Sequence, residues 1–186
     1  MFNPKSAMVT GHTSGLGAAF YNILRDWEYT VTGFSRSTGH DLSGDLDALV
    51  ADDFDLYINN AYWSYSQTDL LYKLFEKNKD RNCTILNIGS VSALGIKDYL
   101  NEYAVHKKSL YDACQQLQLV DCECRVIHAT LGRIATPMTD HRREYPRMDP
   151  YKVAGYLLNL IEISNDFYLK DVVLDVPYSR RLINEK

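Results

Sequence analysis

Runs of consecutive apolar residues alternate along this chain with segments in which apolar positions recur every three to four residues. Ala7-Met8-Val9-Thr10 is a continuous apolar run and predicts a buried first strand. Gly15 to about Trp27 has helical period, with Ala18, Ala19, Ile23 and Leu24 on its inner face. Strands are predicted at Thr30 to Phe34, Asp55 to Asn59, Cys83 to Ile88, Arg125 to Ala129 and Asp171 to Leu174. Between them the pattern predicts a short helix at Asp45 to Val50, an amphipathic one at Thr68 to Lys79, the longest at Tyr99 to Leu119 and a late one at Tyr151 to Ile163. Such alternation specifies an α/β fold, a doubly wound parallel sheet with crossover helices. No repeat, linker or low-complexity tract divides the chain, so one domain is expected over residues 1–186. The longest irregular stretch after a strand is Pro137 to Pro150. Ligands of open parallel sheets bind beyond the carboxyl ends of the strands, so this stretch is expected to form part of a lid.

Composition narrows the function classes. A length of 186 residues suits one core. A net charge of -4 and a pI near 5.7 argue against a dedicated nucleic-acid binder. The basic run His141-Arg142-Arg143-Glu144-Tyr145-Pro146-Arg147 is short and broken by Glu144 and Pro146, and reads as a solvated or lid segment. No apolar stretch reaches the ~18–20 residues of a membrane helix. Met1-Phe2-Asn3-Pro4-Lys5 leads into the first strand without an apolar signal region, so a cytoplasmic location is expected. The cysteines Cys83, Cys114, Cys122 and Cys124 lack paired C-x-x-C spacing. Cys122, Cys124 and His128 raise the question of a metal, but at period two they would share one strand face with Val126. They read as reduced thiols packed as small hydrophobes, with no metal site.

The chemistry begins at Thr10-Gly11-His12-Thr13-Ser14-Gly15-Leu16-Gly17, between the first strand and the first helix. Glycine permits the sharp turn and lets backbone approach an anion with no Cβ in the way. The helix N-terminus adds unpaired N–H donors and partial positive charge, and the Thr13 and Ser14 hydroxyls can add hydrogen bonds. Gly17 lets the helix pack close to the sheet. Strand, glycine turn and helix in that order are the context a dinucleotide-binding motif requires.

The spacing T-G-x-x-x-G-x-G resembles the short-chain dehydrogenase/reductase family, and four further landmarks follow in that family's order. Asn59-Asn60-Ala61 matches its N-N-A-G, and Ser90 ends the fifth-strand position. Tyr103-Ala104-Val105-His106-Lys107 matches its Y-x-x-x-K. Leu131-Gly132-Arg133-Ile134-Ala135-Thr136 matches its P-G-x-x-x-T, with Leu131 in place of Pro. The resemblance spans nearly the whole chain. It implies a single Rossmann domain, here with one or two family helices shortened or lost. It implies hydride transfer between a nicotinamide and a small carbonyl or alcohol, and association into a homodimer or homotetramer through the helix bearing Tyr103. Among cofactor contacts it places Gly11, Thr13, Ser14, Gly15, Leu16, Gly17, Asn59 and Ala61. Asp41 and Leu42 would flank the adenine, and Thr136 with the Ile134 backbone would position the carboxamide. Lys107 would bind the ribose hydroxyls beside Tyr103. After the second strand the chain reads Phe34-Ser35-Arg36-Ser37. No acid is available for an adenosine ribose, whereas Arg36 flanked by the Ser35 and Ser37 hydroxyls suits a 2′-phosphate, so NADP(H) is preferred over NAD(H).

Tyr103 and Lys107, four residues apart, share one helix face. A free phenol titrates near ~10 and is a poor base at neutral pH; an adjacent ammonium is expected to lower that value. Ser90 would hydrogen-bond the reacting oxygen while Tyr103 gives or takes its proton.

Three departures from the family pattern stand out. Only four residues separate Arg36 from Asp41, too few for a helix, so a short third strand and an open adenine pocket are expected. The Asn59–Ser90 segment is short and has no Asn where the family's catalytic Asn falls. Ser66 or Gln67 occupies that place, while Asn78 and Asn82 come too late. Tyr62 replaces the Gly after Asn-Asn-Ala and is followed by Trp63 and Tyr65. These rings either line an aromatic substrate pocket with Tyr99 and Met138 or fill the volume of a missing helix. A competing function on the same fold is non-catalytic dinucleotide binding. An epimerase or dehydratase would usually carry a large C-terminal substrate domain.

Overall fold

The computed structural model describes residues 5–96, 98–142, 144–164 and 167–177. Met1–Pro4 of the N-terminal reading and Arg143 of the basic run lie outside the described residues. Six strands form one parallel sheet: β1 (Ser6–Thr10), β2 (Thr30–Phe34), β3 (Leu56–Asn59), β4 (Thr84–Ile88), β5 (Arg125–Leu131) and β6 (Asp171–Leu174), in the order β2-β1-β3-β4-β5-β6. Helices α1 (Gly15–Asp26) and α4 (Pro150–Ile163) cover one face, burying Phe20 and Leu24 with Leu157 and Ile161. Helices α2 (Ser66–Asn78) and α3 (Glu102–Leu117) cover the other, burying Leu70, Leu71 and Leu74 with Leu110, Ala113 and Cys114. β3 and β4 are buried at every position, as strands covered on both faces must be, which is why they read as largely apolar runs, with Asn59 and Asn87 as buried exceptions. The chain leaves β1 toward β2, then crosses back to β3 on the other side. The switch point, and with it the ligand crevice, lies at the carboxyl ends of β1 and β3.

The expected short third strand is not there: among the described residues no strand lies between Phe34 and Leu56. A single 3-10 turn at Arg36–Thr38 ends at Gly39 in a left-handed conformation (φ +84°). Further turns come next, and Leu42, Leu46, Leu49 and Phe54 pack against Met8, Phe34 and Tyr57. Side chains rather than a strand seal this edge. The helix expected at Asp45 to Val50 is one 3-10 turn, Asp47–Leu49. α3 begins at Glu102 because the Asn101 side chain caps Ala104 N–H at 3.2 Å, leaving Tyr99 and Leu100 outside the helix and exposed.

The segment after β5 is more ordered than its sequence suggests. It forms a 3-10 helix at Pro137–Arg142 and returns to pair beside Ile134, with Ala135 N–H on Met148 O (2.9 Å) and Met148 N–H on Arg133 O (2.8 Å). Cys122 precedes β5 rather than sharing its face; all four thiols are unbridged, and the Cys83 and Cys124 sulfurs are 3.3 Å apart. No helix among the described residues is long and apolar enough to cross a membrane.

Candidate active site

The glycine turn is built by close approach. Gly11 and Gly15 sit at φ +72° and +57°, where a side chain is strained. A Cβ on Gly17 would lie 2.1 Å from Gly11 O. Thr10 Oγ1 accepts from Asn60 and Ala61 N–H (2.9 and 3.0 Å), and Asn60 Nδ2 donates to Thr10 O (2.9 Å), tying the ends of β1 and β3 together. Ser14 opens α1 without a side-chain capping bond, and the first turn holds no acidic residue. Its N–H donors are therefore not capped by a local carboxylate and point toward the crevice. Thr136 reaches the same turn from the far side: a Cβ on Gly15 would sit 3.0 Å from its Cγ2. The turn is a cradle shaped for backbone approach to an anion, and a dinucleotide's pyrophosphate fits that chemistry.

The second group lies at the carboxyl end of β4. Ser90 follows Gly89, its Oγ accepts from Ser92 N–H (3.2 Å), and it hydrogen-bonds to Tyr103. Lys107 is buried, and its Nζ donates to Gln67 Oε1 (2.6 Å) and Ile88 O (2.7 Å). The same Nζ lies 5.7 Å from the Tyr103 ring centroid. Gln67 Nε2 in turn donates to Asn59 O (2.6 Å) and Ile88 O (3.0 Å). The residue that meets Lys107 is thus Gln67 rather than Ser66.

The electrostatics correct one expectation. Burial raises the Tyr103 ionisation above its ordinary value; the Ser90 hydrogen bond opposes this, and Tyr62 adds to it. Burial also drives Lys107 down to about 7. The Lys107 ammonium is anchored toward β4 by two acceptors and is only partly populated near neutrality, so it does not dominate the phenol.

No family model matches the sequence, and no curated protein matches it. Solved structures do match. An alcohol dehydrogenase from the archaeon Thermococcus sibiricus, complexed with 5-hydroxy-NADP, superposes with a TM-score of 0.81 at 15% identity, covering 92% of this chain and 96% of that one. A short chain dehydrogenase from Burkholderia cenocepacia J2315 in complex with NADP gives 0.77 at 16% identity, covering 97% and 91%. A 3-alpha-hydroxysteroid dehydrogenase from Pseudomonas sp. B-0831, complexed with NADH, gives 0.75 at 17% identity, covering 97% and 99%. The chain has the fold of the short-chain dehydrogenases/reductases.

Within this short-chain dehydrogenase/reductase fold, the sequence-derived residues divide into those at the crevice and those behind it. Gly11, Thr13, Ser14, Gly15 and Ala61 border the turn, whereas Leu16 and Gly17 are buried beneath it. Asn59 is fully buried. Its Nδ2 donates to Gln67 O (2.8 Å) and Asn87 Oδ1 (2.9 Å), so its side chain braces Gln67 from behind. Leu42 is buried in the core against Phe34 rather than presented to the crevice. Ser35 Oγ shares hydrogen bonds with Ser37 Oγ (2.9 Å) and Thr38 Oγ1 (3.2 Å). Arg36 is exposed, and Asp41 accepts Ser43 N–H (3.0 Å) while attracted to Arg36. Ile134 is buried, its carbonyl accepting from Thr139 Oγ1.

Sequence reasoning missed several contributors. Asn60 was visible in the Asn-Asn-Ala run. His12 packs where a Cβ on Gly33 would stand 2.3 Å from its ring, and a glycine inside a strand is the signal for such an approach. The Nδ1 atoms of His12 and His40 are buried without a hydrogen-bond partner, the second ring edge-on to Phe34. Of the aromatic trio, Tyr62 faces the site, with its ring 4.8 Å from that of Tyr103. Trp63 and Tyr65 are 52% and 45% exposed, which does not match a core-filling role. Tyr99 and Met138 are exposed as well.

Proposed function

We propose that this chain is an NADP(H)-dependent oxidoreductase of the short-chain dehydrogenase/reductase type, moving hydride between the nicotinamide and a small carbonyl or alcohol. The observation that carries the reading is the convergence of Ser90, Tyr103 and Lys107, closed by Gln67, at the strand ends beside the glycine turn. A purely binding role leaves that convergence without a use.

Gly11, Gly15 and the N-terminus of α1 would hold the pyrophosphate, and Thr136 would close on it from the opposite side. Bound there, the dinucleotide supplies or accepts the hydride and, when oxidised, adds positive charge beside Tyr103. In the reductive direction the Tyr103 hydroxyl passes its proton to the carbonyl oxygen while Ser90 hydrogen-bonds that oxygen as negative charge develops. Lys107 uses two N–H donors on Gln67 and Ile88, so the third is available for a ribose hydroxyl. In its ammonium form it also stabilises the phenolate that Tyr103 leaves. Gln67, standing where the family's catalytic Asn falls, holds Lys107 by a direct hydrogen bond. The preference for NADP(H) rests on Arg36 with its flanking hydroxyls; the nearby Asp41 competes for the guanidinium.

The test is turnover of a ketone and aldehyde panel with NADPH. Tyr103→Phe is expected to lower turnover ~10²–10⁴-fold while NADPH binding survives; undiminished turnover would remove Tyr103 from its assigned role. Association as a homodimer or homotetramer through α3 belongs to the same proposal, and light scattering measures it.

A further inference from the structure

We infer that Tyr62, latched to His106, is a positioning residue that walls Lys107 and Tyr103 off from water and fixes the phenol in place. The inference rests on the proposed roles of Tyr103 and Lys107. Tyr62 lies three residues beyond the end of β3. Its hydroxyl is 2.8 Å from His106 Nδ1, its ring stands edge-on to Tyr103 at 4.8 Å, and Lys107 Nζ lies 5.5 Å from its ring centroid. Tyr65 packs on the same imidazole, at 4.3 Å between centroids, so one histidine is contacted by both tyrosines. Between them Ser64 adopts φ +44°, a left-handed conformation costly for a residue with a Cβ. That turn folds the chain back so that both rings reach α3, and the two ring contacts offset its cost.

What Tyr62 contributes is apolar cover rather than charge. Burial, and the Glu102 carboxylate, push its ionisation up, so it remains a neutral phenol. The groups facing Lys107 are Tyr62 from the loop, Tyr103 and the adjoining His106 from α3, Gln67 from α2, the Ile88 carbonyl with Ser90 beyond it from β4, and His128 from β5. His128 is held neutral by burial, its pKa down at about 4. Among the described residues no carboxylate forms an ion pair with Lys107. Desolvation of the ammonium is therefore unopposed, and in the cofactor-free protein the Tyr62 ring helps keep water from the third donor that a ribose hydroxyl would use. A lysine without that ring would take water on its third donor and return toward the ordinary ~10.5.

The experiment reads Lys107 directly in the cofactor-free protein. Carbon NMR of ε-13C-lysine-labelled chain follows its titration, the resonance assigned by its loss in Lys107→Arg. The wild type is expected to titrate near 7. Tyr62→Gly should raise that midpoint by at least one unit, a tenfold or larger change in the ionisation constant. His106→Ala, which releases the latch and leaves Tyr62 in place, should raise it by a smaller amount and serves alone if Tyr62→Gly does not fold. Tyr62→Phe, which keeps the ring but breaks the same hydrogen bond, should shift the midpoint no more than His106→Ala and far less than Tyr62→Gly. A wild-type midpoint at the ordinary lysine value, or one unmoved in Tyr62→Gly or, where that variant does not fold, in His106→Ala, overturns the inference. Calorimetry with NADPH runs alongside: a wild type that binds none counts against the proposed function, while the titration still decides the role of Tyr62.

Discussion

The edge of the sheet at β2 and its centre at β4 border the same crevice but are built in different ways. β2 is half-exposed over most of its length, and it leads into turns and two short 3-10 segments. β4 is buried at all five positions; beyond its end Ser90 bonds Tyr103, and beside it Asn59, Gln67 and Lys107 form a connected hydrogen-bonded set. The expected strand that is missing among the described residues lies at the edge, where each residue has neighbours on one side only and Leu42, Leu46 and Leu49 pack in its place. At the centre Asn59, Gln67 and Lys107 each make two or more hydrogen bonds, so removing one partner leaves buried polar groups unpaired.

Glycines offer the sharpest contrast between the two regions. Gly17→Ala at the centre puts a Cβ 2.1 Å from the Gly11 carbonyl, and overpacking against backbone should cost at least about 3 kcal/mol and weaken NADPH binding. Gly39 at the edge meets nothing within 4 Å, so Gly39→Ala should cost only the ~1 kcal/mol of a left-handed backbone. Urea unfolding of the two variants, compared directly, measures the difference; equal losses would erase the distinction.

Next in size is a pH effect from the centre. Burial depresses the His128 pKa from 6.5 to about 4, so the unfolded chain takes up a proton that the folded chain refuses. Stability should therefore be whole above pH 6.5 and fall by about 3 kcal/mol as pH drops toward 4. His128→Leu should flatten that slope in urea titrations at successive pH values, and a slope left intact would show that other groups produce it. Smaller again, Gln67→Leu removes an acceptor from Lys107 and donors from the Asn59 and Ile88 carbonyls. The expected loss is ~2 kcal/mol, read by thermal unfolding. At the edge, Arg36→Ala should shift the ratio of NADPH to NADH affinity by about tenfold, ~1.4 kcal/mol, and an unchanged ratio would argue against a 2′-phosphate contact.

The same contrast explains what could be read from the sequence. β1, the glycine turn and α1 were legible because a buried parallel strand leaves an unbroken apolar run and the turn demands glycine. The Tyr103–Lys107 pair was legible because two residues four apart on a helix must share a face. The edge was not. Leu42, Leu46 and Leu49 repeat at helical spacing, yet their side chains serve the core from turns, since a hydrophobic period records burial and not backbone hydrogen bonding. Ser66 and Gln67 could not be separated because α2 opens without a capping side chain, so its phase is set by packing. The depressed Lys107 and the raised Tyr103 were also out of reach. Both follow from burial in the folded chain, with Tyr62 adding to the shift of Tyr103, and burial by segments distant in sequence is not encoded in spacing.

The most direct test of the central claim is calorimetric titration of the wild type and of Gly15→Val with NADPH. Gly15 is left-handed and faces Thr136 across the turn, so a branched side chain there obstructs the cradle. Saturable, one-to-one binding to the wild type that is reduced at least tenfold in the variant is the predicted result. Absence of binding to the wild type, or equal binding to both, would contradict it.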